Sequence, residues 1–386
     1  MSDGAPAGLR YAPYLLVASV GYVTFGFSAV PSLIVERFDA SLVSVGLLMS
    51  ALLLAYGLVQ FPAGRYFETS GTTRPLLLGT VLHAALSVGL DFAPTFESLL
   101  ALRFVWALVG GVLVTGGATH VARLYSGPAA TRMQGLYGGV LTLGGALGFV
   151  VVPAVTARTG WVGLHSVGAI LAVPAAVVLF VHVRGSAVDH TRPATISDTT
   201  GTVDVRAILG SPAVLVASVC YVAVLSSYIT LSTFVTTYFE EAGVLVSLNA
   251  IVLALAGFAR VAGGVGAEWG QVDDTRTIAV SGVAGTAGFL GLAVAGHPLL
   301  VATLPMATMI AVSVPFGSIY NVAAGAEVGE GPGLGVVLAV GNLAALVFPT
   351  VTGAVRETTG SYGTAFALLA GANLVAVGAA VWLGRR

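Results

Sequence analysis

Long apolar runs separated by short polar breaks make up nearly all of the chain. Twelve stretches qualify, at about 11–35, 42–63, 75–93, 98–122, 135–156, 161–183, 211–238, 245–267, 277–295, 298–324, 332–354 and 363–384. An α-helix rising 1.5 Å per residue needs about 20 apolar residues to cross the hydrocarbon core of a bilayer. The pattern therefore predicts an all-α membrane protein of twelve transmembrane helices. Two divisions are narrow: Phe92 to Glu97 separates spans 3 and 4, and Gly296 with His297 separates spans 9 and 10. Met1 to Arg10 is polar and lacks a cleavable leader pattern, so the run from Tyr11 is expected to remain as the first span.

The longest polar interruption, 184–210, falls near the middle and has the composition of a linker. On either side of it the sequence repeats. Tyr22-Val-Thr24 returns as Tyr228-Ile-Thr230, Glu68 as Glu268, and Val151-Val-Pro-Ala-Val-Thr156 as Val347-Phe-Pro-Thr-Val-Thr352. The offsets are 228 − 22 = 206, 268 − 68 = 200 and 347 − 151 = 196, in the same order along the chain. Internal repeats of this kind mark secondary transporter folds. The expected organisation is a six-helix bundle over 1–183, a cytoplasmic linker over 184–210, and a second six-helix bundle over 211–386.

Composition sharpens this picture. Charged residues are 9% of the 386, against about 25% in soluble domains, and 56% are hydrophobic. All 16 basic residues are arginine. Without lysine there is no Walker A motif and no Schiff base. Cys220 stands alone in an apolar stretch, which leaves no disulfide framework or paired-cysteine metal site, and its plain reading is a small buried hydrophobe. The net charge of −1 gives no basic face for nucleic acid. With the N-terminus inside, eleven arginines fall on the inner side and only Arg37, Arg158 and Arg356 on the outer. That bias predicts cytoplasmic N- and C-termini in a cytoplasmic membrane. The lysine-free, Ala/Val/Gly-rich composition is that of a GC-rich prokaryotic genome.

After span 2 the chain reads Pro62-Ala-Gly64-Arg-Tyr-Phe-Glu68-Thr-Ser-Gly71-Thr-Thr-Arg74. This resembles motif A of the major facilitator superfamily, with Glu68 where the family usually has Asp and Thr69 where it usually has Arg. Gly64 is expected to let a helix approach closely, and an acid at this corner can pair with arginine or a helix N-terminus. The resemblance implies a conformational latch of Gly64, Glu68 and Gly71, echoed by Gly264 and Glu268; a merely charged turn is the alternative. Leu100-Ala-Leu-Arg103-Phe-Val-Trp-Ala-Leu-Val-Gly110-Gly111 is similar to the family's motif B. An arginine within the membrane is costly and should face protein, water or substrate, unless Arg103 snorkels to the surface. Gly144-Gly-Ala-Leu-Gly148 resembles motif C of exporting antiporters with its proline replaced by Gly145, and close helix packing explains it equally well.

Arg260 lies eight residues before Glu268, about 12 Å along the helix from that end. Its placement resembles the eighth-helix arginine of monocarboxylate and oxalate/formate carriers, which implies contact with a substrate carboxylate. A structural arginine bridging to Glu268 is the alternative. No Asp or Glu lies in the middle of any span, Asp91 at the end of span 3 being the nearest. An interior whose deep charges are Arg103 and Arg260 favours an anion, or a neutral solute held by hydrogen bonds. Spans 1, 4, 7 and 10 line the cavity in this superfamily, which adds Tyr22, Tyr228 and Asn321 as substrate-binding candidates. His83 and His120 could relay protons but suit structural roles better.

The resemblance implies a solute carrier of the major facilitator fold, with two pseudo-symmetric bundles rocking around a central site. Its partners would be a small-molecule substrate, a coupling ion (a proton or an exchanged anion) and the bilayer. It would work as a monomer and without a cofactor. Export of lipophilic or neutral solutes is the alternative within the superfamily. An intramembrane enzyme should show HExxH, GxSxG or paired mid-span carboxylates, and a receptor should show a soluble output domain. Neither pattern is present.

Overall fold

The computed structural model describes residues 7–125, 128–185, 210–268, 273–326 and 330–385. Among them every regular element is helical and no strand occurs. Twelve helices are long and apolar enough to cross a membrane. Spans 1 to 6 are Gly8–Ala29, Leu42–Phe67, Thr73–Asp91, Phe96–Leu124, Arg132–Thr159 and Ser166–Arg184. Spans 7 to 12 are Pro212–Glu241, Leu248–Gly266, Asp274–Val294, Pro298–Ala324, Gly333–Thr359 and Gly363–Leu383. The chain is thus a multi-pass membrane protein. The expected linker at 184–210 lies almost wholly outside the described residues.

Local chemistry accounts for the boundaries. Span 1 ends at Ala29 rather than near residue 35, because Val30 leaves the helical region and Pro31 opens a separate short helix, Pro31–Phe38. The residue before a proline is sterically pushed out of α conformation. Spans 3 and 4 divide at a capping box, in which Thr95 Oγ1 accepts the Ser98 N–H at 3.3 Å and Ser98 Oγ accepts the Thr95 N–H at 3.1 Å. Spans 9 and 10 divide where His297 Nδ1 accepts the Leu299 N–H ahead of Pro298. Spans 10 and 11 are each interrupted, at Val314–Pro315 and at Leu346. Pro349 withholds the N–H that would bond to Ala345 and crowds that carbonyl, which explains the second break. Its counterpart Pro153 stays inside one continuous helix, Pro128–Thr159.

Packing repeats between the halves. Span 1 packs on spans 5 and 6, span 2 on 4, and span 3 on 4 and 6. Adding six to each number gives the corresponding pairs: span 7 on 11 and 12, span 8 on 10, and span 9 on 10 and 12. The result is two pseudo-symmetric six-helix bundles. They meet along two seams, span 5 against span 8 and span 2 against span 11, which the same symmetry exchanges. Spans 1 and 7 are the most enclosed of the twelve, and span 6 is the least. The glycines of span 5 serve this packing. A side chain at Gly144 would run into the Ala18 carbonyl of span 1, and one at Gly145 into the ring of Phe25.

Candidate aromatic-arginine site between spans 7, 8 and 10

Arg260 sits on span 8 with its guanidinium carbon 4.3 Å from the Tyr228 ring centroid and 3.8 Å from that of Phe316. Those two rings stand at 80° to each other, 6.2 Å apart, so the cation occupies their corner. Phe25 of span 1 packs edge-on against Tyr228 at 5.6 Å. Tyr221 lies 5.8 Å from both Phe316 and Tyr320. Two rings therefore face the cation, and three more from spans 1, 7 and 10 pack behind them. Arg260 makes no ion pair among the described residues, and its buried Nε has no hydrogen-bond partner. Cation–π contacts contribute about 0.5–1 kcal/mol at exposed sites and about 2 kcal/mol or more when the cation is desolvated. They cover its faces and leave N–H groups at its edge for an acceptor.

Arg103 is handled differently. It is 1% exposed, and its Nε donates to the Leu48 carbonyl at 2.9 Å. Its two terminal nitrogens donate to the Val23 and Thr24 carbonyls at 3.4 and 2.7 Å. The two latter carbonyls lie where the α-helix of span 1 gives way to a 3-10 turn at Gly26–Ala29, and helix ends leave carbonyls in need of donors. Phe27 closes the other side of the guanidinium, 4.2 Å away. The snorkelling alternative does not hold, because this side chain points inward to the span 1 break.

The remaining candidates scatter. Tyr22 is fully buried with a hydroxyl that has no partner. The Asn321 amide approaches Asp274 at 3.5 Å, near the start of span 9, and does not join the rings around Arg260. At Gly64 an added side-chain carbon would meet nothing within 4 Å among the described residues, so no close approach to that face is seen there. Gly71 is partly buried at the turn into span 3. Gly264 does lie at a close crossing, since an added carbon on Gly135 would be 3.1 Å from its Cα. The side chains of Glu68 and Glu268 fall outside the described residues. The turn after span 2 is instead tied to span 4, where Arg123 donates to the Ser70 and Phe67 carbonyls and His120 Nδ1 bonds to Thr72 Oγ1.

Two histidines are committed to structure. His120 Nε2 donates to the Leu9 carbonyl, which makes Nδ1 the acceptor for Thr72. Ser19 Oγ donates to the Gly168 carbonyl and so accepts from His83 Nε2 at 2.8 Å. Asp91 is engaged as well, accepting from the N–H groups of Gly163, His165 and Ser166 and from His165 Nδ1 at 2.9 Å. Burial holds His165, in the turn before span 6, below the usual imidazole range, although Asp91 pulls the other way. A groove lined by Val30, Leu33, Glu36, Pro153 and Thr156 opens beside the short helix, away from every candidate residue.

Sequence reasoning passed over Phe25, Phe316 and Thr142. Phenylalanines are too common in apolar helices to stand out, and only the fold shows which of them meet at one cation. Thr142 carries no motif at all.

The family model of the Major Facilitator Superfamily matches residues 14–330, and the chain belongs to that superfamily of transporters. No curated protein matches it in sequence. Among solved structures it is similar to the crystal structure of the human organic anion transporter MFSD10 (TETRAN). The two share 15% identity with a TM-score of 0.70, over 97% of this chain and 100% of that one. At that identity the likeness speaks to the fold.

Proposed function

We propose that this secondary transporter carries a small organic monoanion, and that Arg260 is the counter-charge the anion meets. One observation carries the reading: a half-buried guanidinium with no carboxylate partner among the described residues, its Nε buried and unpaired, set between the Tyr228 and Phe316 rings. A carboxylate suits the bidentate edge of arginine, and the rings suit an apolar body. Arg103 has three donors engaged by carbonyls and works as a structural cap, so the site offers one positive charge and selects a monoanion over a dianion. Tyr22 turns its ring toward Gly168 of span 6, and Asn321 pairs with Asp274 at the far end of span 10, so neither belongs to the Arg260 centre. The solute moves by rocking of the bundles 1–183 and 211–386 about linker 184–210, in a monomer with cytoplasmic termini in a prokaryotic cytoplasmic membrane. A proton or an exchanged anion drives it, and no covalent chemistry is involved. MFSD10, named as an organic anion transporter, is consistent with the class.

The test is ligand-induced thermal stabilisation and liposome uptake with benzoate, octanoate, sulfate, glucose and tetraphenylphosphonium. Stabilisation by benzoate or octanoate that disappears in Arg260→Ala is the expected result. Stabilisation by glucose or the phosphonium cation, unchanged in that variant, defeats the anion reading and favours a neutral or lipophilic solute.

A further inference from the structure

Arg260 is joined to a seam between the bundles by a closed circuit of contacts. Gly257 lies three residues before it on span 8, and a side-chain carbon added to Gly139 of span 5 would be 2.9 Å from the Gly257 carbonyl. Three residues beyond Gly139 is Thr142, fully buried. The Tyr228 hydroxyl donates to Thr142 Oγ1 at 3.3 Å, and the Thr142 hydroxyl in turn donates to the Gly138 carbonyl at 3.3 Å. Tyr228 then returns to Arg260 through its ring face. The circuit thus runs from span 8 to span 5, to span 7 and back. Span 5 belongs to one bundle, and spans 7 and 8 belong to the other.

We propose that the Tyr228–Thr142 bond is a brake on the unloaded carrier, released when an anion occupies Arg260. This rests on the reading of Arg260 as the substrate counter-charge. The seam around the bond is glycine and aliphatic: Gly139 and Leu143 face Gly257, and Val261 faces Gly139. Such surfaces slide with little directional cost, so a single hydroxyl pair is a larger fraction of the resistance there than on a polar seam. An anion at the guanidinium edge neutralises the charge that attracts the Tyr228 ring. The ring then loses one of its two holds, and the remaining hydrogen bond is long and weak. An empty site keeps both holds.

The experiment compares benzoate exchange, with benzoate on both sides of the liposome, against net benzoate efflux into benzoate-free buffer. Efflux requires the empty carrier to return, whereas exchange does not. Thr142→Val keeps the volume and touches no substrate. It should leave exchange within twofold and raise the efflux-to-exchange ratio about fivefold, the effect of one hydrogen bond of about 1 kcal/mol. Tyr228→Phe should raise the same ratio, and the double variant should not exceed the larger single effect. An unchanged ratio in Thr142→Val, with normal benzoate binding and exchange, overturns the brake and leaves the role of Arg260 standing. Wild-type protein that neither binds nor moves benzoate or octanoate overturns both.

Discussion

The two bundles each carry one arginine within a membrane span, Arg103 fully buried and Arg260 half-buried, and they handle the charge in opposite ways. Arg103 gives three donors to the Val23, Thr24 and Leu48 carbonyls and rests on Phe27. Arg260 gives none to the described residues and rests in the corner of Tyr228 and Phe316. Hydrogen-bonded backbone saturates a guanidinium and locks it in one geometry, whereas a ring face leaves its N–H groups free. The spare donor capacity separates a cap from a site.

The largest effect should come from breaking the cap. Arg103→Met leaves the Val23 and Thr24 carbonyls at the end of the span 1 helix short of a donor and should cost about 3 kcal/mol, read as a steep fall in melting temperature and folded yield. Arg260→Met should leave the melting temperature of the ligand-free protein within a few degrees while abolishing stabilisation by benzoate. If both variants lose stability equally, the contrast between the arginines fails.

A neutral counterpart of the Arg103 cap lies on the other seam. Ser50 Oγ donates to the Leu346 carbonyl at the break in span 11 and lies 2.8 Å from Thr350 Oγ1, and Gln60 accepts from Asn342 at 2.9 Å. Ser50→Ala should cost about 1–2 kcal/mol, less than the loss of Arg103, and a thermal melt decides it. The smallest effect is a pH dependence. His165 has a folded-state pKa below its unfolded value, so the folded protein binds fewer protons. Its contribution to stability is present above about pH 6.5 and lost as pH falls through the lower folded value. Melting temperature should drop between pH 7 and 5, and His165→Gln should flatten that slope.

The two acidic corners illustrate what a residue pattern conveys and what it leaves out. Span number, the central polar interruption and the repeat of Val-Val-Pro with Val-Phe-Pro were legible because hydrophobic length and spacing are properties of the chain itself. The motif around Gly64 was equally visible, yet no described residue meets its side-chain face, because proximity depends on a second helix that no local pattern specifies. The same holds for Asn321, whose depth suggested the cavity and whose amide turns to Asp274.

By itself the sequence determined a lipid-embedded, lysine-free, twelve-span chain with two arginines inside its spans, because hydrophobic length and charge position are properties of the chain itself. Only the tertiary structure decided which arginine is saturated and which is available. That outcome depends on a 3-10 turn in span 1 meeting span 4 and on rings from spans 7 and 10 meeting span 8, contacts between residues up to 80 apart (103 − 23 = 80).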